Sequence, residues 1–366
     1  MMRRLILGLA LTLAMAGGAR AKPFVVILAD PRGTVATDLM APYAVLAESG
    51  AVDVKVVSPT RAPARLIPGY AWVAPQMTLA ELQARRPDVI IVPALEVEDD
   101  AERAAWLRAQ ARRGVRIMSI CNGGLVLAKA GLLDGRQATV HWFSRPGMKR
   151  ERPQVTWRED LRWVTDGKIT TTAGISASEP ATLQLLRELA GEEVMRETAR
   201  RLALPLPDQR HRGADYHLTL TGMRQVAANR LAFWGHEDVA VPLRPGFDEI
   251  AFGTAIDAWS RTYRSTAWMT SDPPAVRSRH GLTVIRAATP PARFERTTAL
   301  PGPDVMLNTF AQVRRAYGET TARFVALQFE HPWGAVSAWS GKGGGYRAAM
   351  AGSARKGETR AIARST

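Results

Sequence analysis

The chain has 366 residues, 46% of them hydrophobic, a formal net charge of +15 and one cysteine. That apolar content supports a full packed core and two domains at this length, and a single cysteine excludes an intramolecular disulfide framework. The basic balance raises nucleic acid as a partner, but no helix-turn-helix pattern occurs, so nucleic acid is disfavoured.

Arg3 and Arg4 precede the apolar run Leu5 to Ala16, and Ala19-Arg20-Ala21 is a small-x-small cleavage pattern. Residues 1–21 are therefore expected to be a secretory signal peptide, with a retained anchor as the alternative. The run is too short for a stable span, and no later stretch is long and apolar enough to cross a bilayer. The expected location is periplasmic or secreted, and the expected partner of the basic charge is an anionic envelope surface or water alone.

Phe24 to Ala29 is a continuous apolar run, the mark of a strand buried on both faces of a parallel sheet. A helix follows from Asp38, then a second strand from Val52 to Val57 and a small hairpin from Leu66 to Ala74. Thr78-Leu-Ala-Glu81 matches a capping box. Pro87 to Pro93 reads as the third parallel strand, Asp99 to Arg113 as an amphipathic helix, and Val115 to Ile120 as the next strand. Strands alternating with helices predict a doubly wound α/β layer, flavodoxin-like in plan, over residues 22–203.

Cys121 stands where that last strand ends. Gly123 and Gly124 follow, and an apolar run with helical spacing begins. This is the layout of a nucleophile elbow, in which a strained turn presents a side chain at the N-terminus of a helix. A thiol placed there is expected to ionise readily, whereas the alternative is a small buried hydrophobe.

Beyond the elbow, Gln137 to Trp142 reads as a strand, Arg162 to Ala173 as a hairpin turning at Asp166-Gly167, and Ser178 to Leu189 and Glu192 to Leu202 as helices. The stretch from Leu204 to Gly213, with Pro205 and Pro207, breaks the pattern, and residues 204–218 are taken as a linker. Residues 219–340 partly echo the beginning. Val239 to Ile250 repeats the order strand, Pro/Gly turn and acidic helix start, and His280 to Ile285 parallels Pro68 to Val73. This region is expected to be a degenerate partial α/β copy without an elbow, and residues 341–366 a basic disordered tail.

Ser119 to Trp142, with Asp38-Leu-Met-Ala-Pro42, Asp88 to Pro93 and Thr172 to Ala177, resembles the ThiJ/PfpI superfamily, of the class I glutamine amidotransferase-like fold. The variant most similar is that of isonitrile hydratases and the sensor half of AraC-type regulators. The resemblance implies Cys121 as nucleophile, Asp38 as the carboxyl that approaches it, His141 as a neighbouring histidine, and no cofactor. It also implies an oxyanion site from the backbone amides of Asn122 and of Ala94 or Leu95, with Gly123 completing the turn, and often a homodimer. On their own residue types, Asp38 could equally cap its helix, His141 could be a core histidine, and Ser176 is expected to be structural.

Two departures matter. Relatives commonly carry Pro-Gly-Gly where this chain has Pro93-Ala94-Leu95, and protease-like members carry histidine where it has Asn122. The expected activity is a cofactor-free, cysteine-dependent hydrolysis or hydration of a small molecule. The alternatives are a ligand-sensing or interaction module, and thiol-based stress protection.

Overall fold

The computed structural model describes residues 21–231 and 233–333. The stretch up to Arg20, expected to be a signal peptide, and that from Gly341, expected to be a basic tail, lie outside the described residues.

The first half runs β1 (Phe24–Leu28), β2 (Thr34–Val35), α1 (Ala36–Glu48), β3 (Asp53–Ser58), β4 (Ala64–Ile67), β5 (Ala71–Val73), β6 (Met77–Thr78), α2 (Leu79–Leu82), β7 (Val89–Val92), α3 (Ala101–Arg112), β8 (Arg116–Ser119) and α4 (Gly123–Lys129). It continues through β9 (Gln137–Ala138), α5 (Arg145–Glu151), β10 (Thr156–Trp157), β11 (Trp163–Asp166), β12 (Ile169–Thr172), α6 (Ser178–Ala190) and α7 (Glu192–Arg201). Seven strands form one sheet in the order β11-β12-β8-β7-β1-β3-β6. All pairings are parallel except that β11 turns back on β12 at Gly167, whose φ of 60° suits glycine. This is the flavodoxin-like α/β fold that the alternating pattern predicts.

The period of two along β1 divides the interior. Val25 and Ile27 pack with Leu39 and Met40 of α1 and Leu183 of α6, while Val26 and Leu28 pack with Leu107 of α3 and Val126 of α4. Both faces of the sheet are therefore covered, which is why β1 and β7 read as unbroken apolar runs.

The expected strand from Gln137 to Trp142 is shorter than its sequence suggests. Only Gln137 and Ala138 pair, with β10 in a separate two-stranded sheet. The chain then leaves strand geometry because the His141 carbonyl accepts the Ser144 and Arg145 N–H groups, turning the backbone into α5. Within the stretch read as a linker, Gln209, His211 and Gly213 bond along the backbone of residues 159–162.

The second half contains α8 (Leu220–Leu231), β13 (Glu237–Pro242), α9 (Glu249–Ser260), β14 (Ser265–Thr270), β15 (Ala275–Arg277), β16 (Thr283–Ile285), β17 (Arg296–Thr297) and α10 (Val305–Gln328). β13 and β14 pair in parallel around α9, and β17 adds to the other edge of β13. This partial α/β region folds directly onto the first. α9 lies so close on α1 that a Cβ at Gly253 would sit 2.9 Å from Met40 Cβ, and the Thr37 hydroxyl donates to the Gly253 carbonyl at 3.0 Å. β5 pairs with β16, joining two hairpins into one five-stranded sheet. α10 kinks at Gly318, where φ is 83°.

A charged clasp also spans the two halves. His280 Nδ1 lies 2.9 Å from Glu249 and Nε2 2.9 Å from Glu48, at the far end of α1. Burial opposes the imidazolium, but the two carboxylates override it and raise the histidine above its ordinary value. A raised folded-state value means that the clasp stabilises fully below the unfolded histidine range and that this contribution is lost as pH rises through the folded value. Melting temperature measured from about pH 6 to 9 should fall more in the native chain than in His280→Gln. Identical slopes would remove the clasp from the stability balance.

Candidate active site

The elbow forms as its residues suggest. Ile120 N–H bonds to the Val92 carbonyl at the end of β7, and Cys121 then adopts φ 53°, a left-handed conformation that costs a non-glycine residue energy. The Cys121 N–H donates to the buried Thr172 hydroxyl at 3.0 Å, which helps hold that turn. Gly123 is obligatory, because a Cβ there would lie 2.0 Å from the Val92 oxygen.

The thiol itself departs from expectation. Cys121 is 5% exposed, and burial pushes it well above the ordinary thiol value, with the Asp38 charge adding and Arg261 opposing. The ionised resting thiolate expected from the helix N-terminus is thus overturned: desolvation outweighs what the seven-residue α4 offers.

Asp38 sits inside α1, whose N-cap is Val35 without a side-chain cap, so its carboxyl does not serve as the helix cap. It is fully buried. Oδ2 accepts the Ala94 N–H at 3.1 Å, and Oδ1 has no hydrogen-bond partner among the described residues. Burial, then the neighbouring Asp257, raises this carboxyl to about 7. The Ala94 N–H is therefore committed to Asp38. Leu95 is buried beside it and bridges to Thr34. Asn122 occupies the N-cap position of α4 with its buried Oδ1 unpartnered among the described residues.

His141 is buried and engaged through both ring nitrogens. Nε2 donates to the Gln328 carbonyl at 2.9 Å, and Nδ1 accepts the Phe143 N–H at 3.3 Å. Burial lowers its proton affinity further, so the ring is neutral. This arrangement matches the core-histidine alternative. Ser176 is structural in the same sense, its hydroxyl donating to the Glu330 carbonyl at 2.8 Å.

Four polar residues of the second half complete this neighbourhood: Asp257, Arg261, Gln328 and Glu330. Asp257 is fully buried on α9 and accepts a hydrogen bond from Arg261 Nε. Gln328 joins the halves, its Nε2 donating to the Arg261 carbonyl at 2.8 Å while its own carbonyl holds His141. Glu330 accepts the Trp142 N–H and lies 2.8 Å from His211 Nε2. The signal for these residues was present but faint. Gly253, Asp257 and Arg261 recur every fourth residue in an apolar helix, which places two charges on its packed face. Among the described residues, no group of three or more His, Cys, Asp or Glu is placed to hold a metal ion, and no helix is long and apolar enough to cross a membrane.

Residues 24–188 match the DJ-1/PfpI family model. The isonitrile hydratase of Pseudomonas putida is 32% identical over 158 residues, 42% of this chain and 67% of that protein. The HTH-type transcriptional regulator GlxA of Rhizobium meliloti is 38% identical over 105 residues, 29% of this chain and 31% of the regulator. The chain thus spans less than a third of the regulators it matches. The crystal structure of Drosophila melanogaster DJ-1beta is 23% identical, covering 50% of this chain and 99% of that one with a TM-score of 0.43. With a relative matched over two thirds of its length and the elbow formed at Cys121, this chain belongs to the DJ-1/PfpI family.

Proposed function

We propose that this chain is a cofactor-free enzyme that adds water to a small molecule, with Cys121 as nucleophile and Asp38 as proton shuttle. The observation that carries this reading is the pairing of a thiol on a strained turn with a buried carboxyl raised to about 7. A carboxyl with that affinity is matched to taking a proton and returning it near neutral pH. The thiol is protonated at rest, so the proton leaves as the bond to carbon forms. The Asn122 and Leu95 amides would face the developing charge, since Ala94 is committed to Asp38.

The Pseudomonas putida relative suggests an isonitrile as substrate. The Cys121 sulfur would bond to the terminal carbon while its proton passes through Asp38 to that same carbon, giving a thioimidate. Water then adds to this carbon and displaces the sulfur with its proton, leaving an N-substituted formamide. With an alkyl isonitrile followed by NMR, Cys121→Ser and Asp38→Asn should each lower kcat/KM by at least about 100-fold. Retained turnover in Cys121→Ser would overturn the nucleophile.

A second reading is a ligand-sensing module, favoured by the 5% exposure and upward shift of the thiol and by the regulators among the relatives. It is preferred if the alkyl isonitrile binds without turnover and Cys121→Ser binds it equally well. In either reading the second region is a partial copy of the first. Its support is the recurring β-α-β order and a reciprocal register, in which Val73 pairs with Val284 and Trp72 with Ile285. Trp72 corresponds to Val284 and Val73 to Ile285 in the two hairpins, the self-complementary pattern of a two-fold contact.

A further inference from the structure

We infer that α8 is a docking surface for an anionic lipid bilayer, with its outward apolar row in the interface and its arginines on the headgroups. This goes beyond the chemistry at Cys121 and does not depend on it.

α8 is docked with its polarity inverted. The side turned to the protein is polar: Asn229 is buried, its Nδ2 donates to the Thr262 carbonyl at 2.8 Å, and its Oδ1 accepts from Gln225 Nε2 at 2.7 Å. By helical periodicity Leu220, Met223, Ala227 and Leu231 fall together on the opposite side, and all four are exposed. Leu220 and Leu231 keep 71% and 70% of their surface open, and Trp234, in the 3₁₀ turn that follows, keeps 79%. Single exposed apolar residues need no explanation, but a row of them along one helix marks a surface that is covered in use. A tryptophan beside its end suits the boundary between headgroups and acyl chains.

Charge selects the occupant. Arg224 and Arg230 are exposed on the two flanks of the row, and neither makes an ion pair among the described residues; Arg230 lies over the Tyr263 ring at 4.5 Å. No aspartate or glutamate occurs from Tyr216 to His236. A second copy docked here about a two-fold axis would set arginine against arginine, with no acid on the helix to answer them. The rest of the chain is a poor cover for the same reason. Residues 1–20 hold three arginines and no acid, and residues 334–366 hold six Lys or Arg against one glutamate. An anionic headgroup layer answers both features at once, attracting the arginines while the leucines and the tryptophan leave water. With only 12 residues, α8 lies on the bilayer and does not span it.

The test is sedimentation of the full chain with vesicles of equal parts phosphatidylglycerol and phosphatidylcholine, set against phosphatidylcholine alone. The chain should favour the anionic vesicles, and about 0.5 M salt should weaken the binding. Leu220→Ser/Leu231→Ser and Arg224→Gln/Arg230→Gln should each lower the partition coefficient by about tenfold or more. Their melting temperatures should match that of the native chain, because all four side chains are exposed. Quenching by brominated phosphatidylglycerol locates the contact whatever other segment also touches the vesicle: a larger fraction of tryptophan emission should be lost in the native chain than in Trp234→Phe. Equal fractional quenching in the two chains would overturn the proposal, as would a native chain that stays in the supernatant. So would a native dimer that Leu220→Ser/Leu231→Ser dissolves without any loss of vesicle binding. No substrate enters these measurements, so failure of isonitrile turnover would leave them untouched.

Discussion

Gly123→Ala should destabilise the chain by about 3 kcal/mol, at the upper end of what overpacking costs. The added methyl would lie 2.0 Å from the Val92 oxygen and 2.9 Å from the Pro93 oxygen, and both obstacles are backbone rather than a side-chain tip that could rotate away. β7 occupies the middle of the sheet, between β1 and β8, so neither it nor the start of α4 can yield without disturbing the other. A fall of roughly 10 °C in melting temperature is expected. Gly147→Ala is the control. It sits in helix α5 with nothing within 4 Å of its Cβ, and it should be neutral or slightly stabilising. Equal melting temperatures for the two variants would mean that the close approach at Gly123 is not what holds the elbow.

Glu330→Ala should cost about 3–5 kcal/mol, the range for removing one partner of a buried charged network. The carboxylate is completely buried, yet it is held below its usual value. Burial alone would raise it, and the hydrogen bonds from His211 and from the Trp142 N–H more than compensate. Removing it leaves the Trp142 N–H without its acceptor and His211 without its hydrogen-bond partner, and takes a carboxylate from beside Arg145. The segment around it also anchors the end of α10, since the Leu327, Gln328 and Phe329 carbonyls accept from Trp142, His141 and Ser176. Glu330→Gln keeps an acceptor for Trp142 and should lose less, about 1–3 kcal/mol. Because the folded carboxyl lies below its unfolded value of 4.5, its contribution is present above that pH and is lost as pH falls through the folded value. Thermal unfolding at about pH 7 and pH 4 should therefore show native chain and Glu330→Gln converging in acid. A constant gap would place the stabilisation elsewhere than in the charge.

These two residues differ in how far the sequence announces them. Gly123 follows a β-branched strand and precedes an apolar helix, and the only residue that fits a backbone approach of that kind is glycine. Local order alone makes it legible. Glu330 sits in Phe329-Glu330-His331, where nothing local distinguishes a buried acid from a solvated one. Its partners His141, His211 and Arg145 are more than a hundred residues away, and only the docking of α10 assembles them.

The same division explains the remaining differences. The strand read from Gln137 to Trp142 carries a good apolar pattern, but the backbone turns into α5 at the His141 carbonyl, and the His141 ring is held by an α10 carbonyl from across the chain. The thiol was expected to ionise from its helix, a local argument. Its surroundings reverse that, because burial is a property of the whole fold.

What the sequence by itself determined is the alternating α/β plan of the first half and the elbow at Cys121. Each rests on periodicity or on a turn that few residues can make. What only the tertiary structure decided is that α9 closes over α1 and brings Asp257 and Arg261 to the same site, and that His141 is held rather than free. Charge and proton affinity depend on neighbours and on exclusion of water, and both are settled when distant segments pack.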